Sequence, residues 1–157
     1  MDNQINIAVV DDHHLFRSGI INLVKSLDSR FNIMFEACNG KEFIEKLSFN
    51  ILPDVVLLDI SMPIMDGFRT AERLRGLYPE IKVLVLSMND NEESLIKMLK
   101  LGVKGFIGKD IDPNELKKAI VSVSDNSYYY TELMTSHLVN SYQNVERNEV
   151  KKALTDN

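Results

Sequence analysis

The sequence predicts an α/β fold, doubly wound around a five-stranded parallel sheet. Three observations point there. Short apolar runs recur along the chain: Ile5-Asn6-Ile7-Ala8-Val9-Val10, Val55-Val56-Leu57-Leu58 and Gly105-Phe106-Ile107-Gly108 among them. The stretches between the runs carry apolar residues at helical spacing. Polar, chemically loaded residues follow the runs directly: Asp11 and Asp12, Asp59, and Lys109. Short apolar runs alternating with amphipathic helices read as buried parallel strands with right-handed crossovers.

The strands are expected at about residues 5–10, 32–37, 54–59, 81–86 and 104–108. The first helix, over about 14–29, follows from Leu15, Phe16, Ile20, Leu23, Val24 and Leu27 on one face. A shorter helix over 40–49 rests on Phe43, Ile44 and Leu47. A third, over 67–77, uses Phe68, Ala71, Leu74 and Leu77, and Pro79 stops it. A fourth, over 91–101, uses Leu95, Met98, Leu99 and Leu101, with Gly102 as C-cap. The fifth, over 113–124, opens on Asp112-Pro113, an N-cap followed by proline at the first helical position. This unit ends near residue 125, where Asp125-Asn126-Ser127 forms a turn-like break. The tail, 126–157, contains Tyr128-Tyr129-Tyr130, then Leu133, Met134, Leu138 and Val139 at helical spacing, then a polar end. It reads as a helix, a linker or both; the three tyrosines read as core or interface, with packing of the tail on the preceding domain the favoured reading.

In an open parallel sheet, groups at the carboxyl ends of the strands converge on one edge. Asp11, Asp12, Asp59 and Lys109 are therefore expected in a single cleft. Three carboxylates repel unless one is protonated or a cation joins them. Mg²⁺, a hard ion that prefers oxygen ligands, suits such a site.

Composition narrows the class. The chain has 157 residues, 45% of them apolar, and a net charge of −5. Nothing in that charge points to a nucleic-acid or membrane surface. No apolar run approaches 18 residues, so no transmembrane helix is expected. The opening Met1-Asp2-Asn3-Gln4 lacks the basic region of a secretory signal, which implies a cytoplasmic protein. The single Cys38 cannot form an internal disulfide and reads as a small buried apolar residue.

The motifs taken together resemble the receiver domain of two-component response regulators, over about residues 4–125. The resemblance is carried by Val9-Val10-Asp11-Asp12-His13, Pro53-Asp54-Val55-Val56-Leu57-Leu58-Asp59, Met62-Pro63-Ile64-Met65-Asp66-Gly67, Ser87 after the fourth run and Lys109 after the fifth. The segments Asp12-His13-His14-Leu15-Phe16-Arg17-Ser18-Gly19 and Val85-Leu86-Ser87-Met88-Asn89-Asp90 are most similar to the NarL/FixJ group, whose output is a LuxR-type helix-turn-helix. The resemblance implies the flavodoxin-like (βα)5 fold. It implies Asp59 as phosphoacceptor from a sensor histidine kinase. It implies Mg²⁺ held by Asp11, Asp12, Asp59 and the Ser61 backbone carbonyl, and phosphoryl contacts from Lys109 and Ser87. Ser87 and Phe106 would form the switch, and Ser61 and Asn89 would tune the rate. It also implies a phosphorylation-dependent homodimer that is not an enzyme beyond its own phosphorylation and slow dephosphorylation. Residues 126–157 would lead toward a helix-turn-helix output, since Leu154-Thr155 looks like the opening of one. No DNA or membrane binding is expected of this chain itself.

Alternatives stand beside these roles. Asp11 and Asp12 could cap a helix starting near His13. His13 and His14 could invite a metal, but adjacent helical residues do not share a face; His14 could sit near the cleft mouth, and otherwise both read as solvated. Asp110 replaces the proline common after the lysine in receivers, which argues against a cis peptide there. Met88 is larger than the usual residue and would narrow access. A complete single-domain receiver that signals by docking is a second reading. A haloacid-dehalogenase-type phosphohydrolase is a third, but it needs an acid/base aspartate where Ser61 stands.

Overall fold

The computed structural model describes residues 3–48, 51–88 and 91–130, together with Thr135, Ser136, Val139 and Gln143, which are helical. The elements alternate as β1 (Ile5–Val10), α1 (His14–Leu27), β2 (Phe31–Ala37), α2 (Gly40–Leu47), β3 (Val55–Leu58), α3 (Gly67–Leu77), β4 (Lys82–Ser87), α4 (Glu92–Lys100), β5 (Gly105–Gly108), α5 (Pro113–Ser124) and β6 (Tyr129–Tyr130). The sheet order is β2-β1-β3-β4-β5-β6, and every pairing is parallel. This is the flavodoxin-like order, whose direction reverses at β1 and β3.

The pleat explains why both faces are apolar. Along β3, Val55 and Leu57 join one core while Val56 and Leu58 join the other. Val55, Leu57, Leu84 and Ile107 pack with Ile20, Ile21 and Val24 of α1 and Leu116, Ala119 and Ile120 of α5. On the opposite face Val56, Leu58, Val83, Val85 and Phe106 meet Phe43 of α2, Leu74 of α3 and Leu95 and Met98 of α4. Strands covered on both sides lose the alternation of a half-exposed sheet, so they read as continuous apolar runs.

Side chains cap four of the helices α1 to α5. Asn39, Asp66, Asn91 and Asp112 accept from the backbone N–H of Glu42, Arg69, Ser94 and Asn114. Gly102, at φ +83°, closes α4: its N–H donates to Leu99 and that of Val103 to Met98, the left-handed helix end that favours glycine.

Two expectations are corrected. Among the described residues the sheet has six strands, not five. Tyr129 and Tyr130 pair with Gly105 and Phe106 of β5. Side-chain contacts hold this short strand where its two ladder positions could not: the Tyr129 hydroxyl donates to Glu115, the Tyr130 hydroxyl donates to the Val103 carbonyl, and Lys104 Nζ lies 4.3 Å over the Tyr128 ring. Tyr129 and Tyr130 thus pack on the domain, while Tyr128 is largely exposed. Burial and the Glu115 carboxylate push the Tyr129 phenol up to about 12.

Cys38 is exposed rather than buried. It lies just past the end of the edge strand β2, and its thiol donates to Glu42 Oε2 at 2.7 Å. That contact raises the thiol pKa and, together with Lys46, holds the Glu42 carboxyl down to about 2. Burial preference is a property of the residue type, and here the place in the fold overrides it.

Candidate functional site

The site forms where β1 and β3 end side by side and β5 ends two strands away. Asp11 follows the last residue of β1, and its N–H donates to the Ala37 carbonyl of the β2 end. Asp59 follows the last residue of β3, and its N–H donates to Val10 on β1. Lys109 follows β5, and its N–H donates to the Ser87 carbonyl at the end of β4. The ladder thus carries each side chain to the same edge.

The side chains meet as expected. Lys109 Nζ lies 2.7 Å from Asp11 Oδ2 and 3.4 Å from Asp59 Oδ1. It also sits 4.4 Å over the Phe16 ring, a contact the sequence did not suggest. Asp59 Oδ1 accepts from the Ile60 N–H at 2.9 Å. Asp59 Oδ2 is buried and has no hydrogen-bond partner, and the same is true of Asp12 Oδ1. Asp59 is only 5% exposed. Burial raises its carboxyl pKa first, the neighbouring Asp11 charge adds to that, and Lys109 opposes both.

Ligand atoms of Asp11, Asp12, Asp59 and His13 all lie within 4.8 Å of one another. Of the three carboxylates, Lys109 reaches Asp11 and Asp59, and two buried carboxylate oxygens have no hydrogen-bond partner. A buried polar atom without a partner costs free energy, and a hard divalent cation supplies what these oxygens lack. The donor set therefore fits a cation, as the sequence implied.

His13 departs from expectation. It is exposed, as a solvated histidine would be, yet Nδ1 lies 3.2 Å from Asp11 Oδ1 and 3.3 Å from Asp12 Oδ1. His13 is the extended residue before α1, with φ −84° and ψ 101°. The argument from helical faces does not apply to a residue outside the helix. The capping alternative also falls away: His13 holds the N-cap position with no side-chain cap, while Asp11 Oδ1 accepts from the His13 N–H. His14 is turned elsewhere, with Nδ1 3.2 Å from an Arg17 nitrogen. Arg17, which sequence reasoning missed, donates to the Asp11 carbonyl at 2.5 Å and to Glu36 Oε1 at 2.8 Å. Nothing in a lone helical arginine signals that clamp.

The connection after Asp59 is tightly folded. Ser61 is exposed at its start. The Gly67 N–H donates to the Ile60 carbonyl at 2.7 Å, and Gly40 donates to Met65. Ile64 sits at φ +69°, a left-handed conformation costly for a β-branched residue. Ser87 is 5% exposed at the strand end, and Phe106 is fully buried between the sheet and α4. Met88 is 78% exposed. Asn89 lies outside the described residues. The Lys109–Asp110 peptide is trans, like every bond among the described residues.

A parallel sheet in this order, with acidic residues and a lysine at its switch point, defines a class. Residues 7–121 match the response regulator receiver domain, and the chain belongs to that family. Its curated relatives are of the NarL/FixJ type. It is 33% identical over 143 residues to the transcriptional regulatory protein DegU of Brevibacillus brevis and 34% identical over 143 residues to the nitrate/nitrite response regulator NarL of Escherichia coli K12. Each match covers 90% of this chain but only 59% and 65% of the relative, so the chain spans under two thirds of their length. Among solved structures, the signal receiver domain of NarL from Mycobacterium tuberculosis superposes with a TM-score of 0.73 at 34% identity, covering 79% of this chain and 98% of that one. The isolated receiver domain of RcsB from Salmonella enterica serovar Typhimurium, solved with the phosphomimetic BeF3−, gives 0.77 at 25% identity, covering 86% and 99%. Among the described residues no helix is long and apolar enough to cross a membrane.

Proposed function

We propose that the chain is a phosphorylation-controlled switch in which Asp59 accepts a phosphoryl group from a sensor histidine kinase. The observation that carries this is the Asp59 carboxylate itself: buried at a strand end, one oxygen unpartnered, with Lys109 at hand. An Asp59 oxygen attacks phosphorus, the bond from phosphorus to the donor imidazole breaks, and an acyl phosphate remains on the aspartate. Phosphoryl transfer of this kind needs positioning and neutralisation of the equatorial oxygens more than covalent help. Lys109 supplies one positive charge. Asp11, Asp12, Asp59 and the Ser61 carbonyl would hold Mg²⁺, which when bound neutralises the remaining charge. Incubation with acetyl phosphate and Mg²⁺ should add one phosphoryl group by intact mass, and EDTA should prevent it. An unmodified chain under these conditions, or full labelling in chelator, would refute the assignment.

Ser87 and Phe106 are proposed to pass the change outward, while Ser61 and Asn89 tune the rate of phosphoryl gain and loss. A phosphoryl group adds acceptor oxygens, and a buried hydroxyl at the end of β4 is placed to donate to one. Ser87→Ala should therefore still accept phosphate but lose most of the response. Amide shift changes over residues 91–118 on adding beryllofluoride should shrink by more than half. Unchanged shifts would remove Ser87 from the path.

Residues 4–125 are proposed as the receiver and 126–157 as its connection to an output. Residues 126–157 hold three basic residues against four acidic, and phosphate binding needs clustered Lys and Arg, so no DNA contact is expected there.

 RcsB is described as forming dimers on DNA, and a closed two-fold pair is the commonest oligomer. The chain is accordingly expected to shift from monomer toward dimer with beryllofluoride and Mg²⁺, and to leave DNA unshifted in an electrophoretic assay. Sedimentation velocity across a concentration series checks the first, and a monomer under both conditions would refute it.

A further inference from the structure

We propose that His13 is a nitrogen ligand of the cation site formed by Asp11, Asp12 and Asp59, and that it makes the site favour a first-row transition ion over Mg²⁺. The inference rests on the cation reading above and adds a residue and a metal class to it.

Three observations carry it. The first is position: His13 Nδ1 lies 3.2 Å from Asp11 Oδ1 and 3.3 Å from Asp12 Oδ1, and one atom from each of these residues and Asp59 falls within a 4.8 Å cluster. Adjacent corners of an octahedron with bonds of about 2.1 Å are about 3.0 Å apart, so these separations need little adjustment to become the edges of one coordination shell. The second is demand: Asp59, 5% exposed, carries an Oδ2 with no hydrogen-bond partner, and the buried Asp12 Oδ1 has none either, with His13 Nδ1 its 3.3 Å neighbour. The third is backbone placement. His13 is extended, outside α1, and its own N–H donates to Asp11 Oδ1 at 2.7 Å. That bond holds the residue against the carboxylates whatever its side chain, while the ring itself remains 63% exposed on its outer side.

The chemistry follows from ligand type. Mg²⁺ takes oxygen ligands and keeps several waters, so an imidazole adds little to its binding. Imidazole suits borderline ions, and affinity for mixed nitrogen and oxygen sites rises from Mn²⁺ through Co²⁺ to Ni²⁺. Any such site binds Co²⁺ more tightly than a pure oxygen preference would suggest, so the informative quantity is the change in selectivity when the nitrogen is removed. His14 provides the control, because its Nδ1 faces Arg17 and lies outside the cluster.

The test is calorimetric titration of the full chain with Mg²⁺ and with Co²⁺, for the wild type, His13→Asn and His14→Asn, with the visible absorption of bound Co²⁺ as a second readout. Loss of even an outer partner of a metal ligand costs about 10–100-fold in affinity, so His13→Asn should weaken Co²⁺ binding at least about tenfold. Mg²⁺ binding should stay within about twofold, the Co²⁺ absorption should shift, and His14→Asn should change neither. If both ions bind the wild type and His13→Asn alters both equally or neither, the His13 proposal is overturned while the cation site stands. If neither ion binds the wild type, the cation reading fails and the proposal with it.

Discussion

Asp59→Asn should abolish labelling by acetyl phosphate completely and, in metal-free buffer, make the protein more stable than the wild type. The two effects share a cause. The side chain proposed to attack phosphorus is also a buried carboxylate with one oxygen unpartnered and Asp11 beside it. Its pKa is raised in the folded state, by burial first and by the Asp11 charge second. The folded chain therefore holds this proton more tightly than the unfolded chain does. Below the ordinary value of 3.8 both states are protonated and nothing is lost. As pH rises from there through the folded-state value, ionisation costs the fold stability, and the cost persists at neutral pH. An asparagine has no charge to desolvate, and its amide supplies a donor among acceptors, while Lys109 keeps Asp11 at 2.7 Å. Relief of one unsatisfied buried group is worth about 1–3 kcal/mol. Urea denaturation in EDTA at pH 7 and again near pH 4 checks this: the variant's advantage should be large at pH 7 and shrink at the lower pH. A variant less stable at pH 7, or one that still takes up phosphate, would contradict it.

Gly67→Ala should damage both the fold and the site, although it adds a single methyl group. A Cβ at Gly67 would stand 2.3 Å from the Asp59 carbonyl oxygen and 2.7 Å from the Ile60 Cα. Those atoms are backbone and cannot swing aside. The Gly67 N–H also donates to the Ile60 carbonyl at 2.7 Å, so the start of α3 and the end of β3 would have to separate. Overpacking of this kind costs about 1–3 kcal/mol. A displacement near 1 Å of a reacting group can cost about 100-fold in rate, so labelling of Asp59 should slow by one to two orders of magnitude even where the variant remains folded. Gly19→Ala is the contrast. Nothing lies within 4 Å of its Cβ position, and Gly19 is in the middle of α1. That variant should gain up to about 1 kcal/mol from helix propensity alone. Thermal unfolding and labelling time courses of the two variants separate crowding at the site from a general intolerance of glycine replacement.

Much of this molecule was legible before any coordinate. The strands covered on both faces announced themselves as unbroken apolar runs because neither face meets water. Asp112-Pro113 and Gly102 marked helix ends because capping and left-handed backbone are local demands on residue type. Asp11, Asp59 and Lys109 could be placed together because parallel strands carry whatever follows them to one edge. These are properties of sequence over short distances, combined with one rule of topology.

Tertiary structure decided what depends on direction and neighbours. Two residues, Tyr129 and Tyr130, are too few for a strand pattern, and they pair only because β5 offers an open edge and Glu115 and the Val103 carbonyl receive their hydroxyls. Cys38 is exposed because it follows an edge strand, which no composition reveals. Arg17 reaches the Asp11 carbonyl and Phe16 lies under Lys109 because α1 packs on the sheet face from which these side chains reach the edge. His13 turns toward the carboxylates because one residue of extended backbone separates it from the helix. The sequence by itself determined the order of the elements, the two apolar cores and the edge at which the charged residues gather, because each follows from local pattern and burial. Which side chains touch there, and which oxygens are left without a partner, was decided only by the packing of helix on sheet.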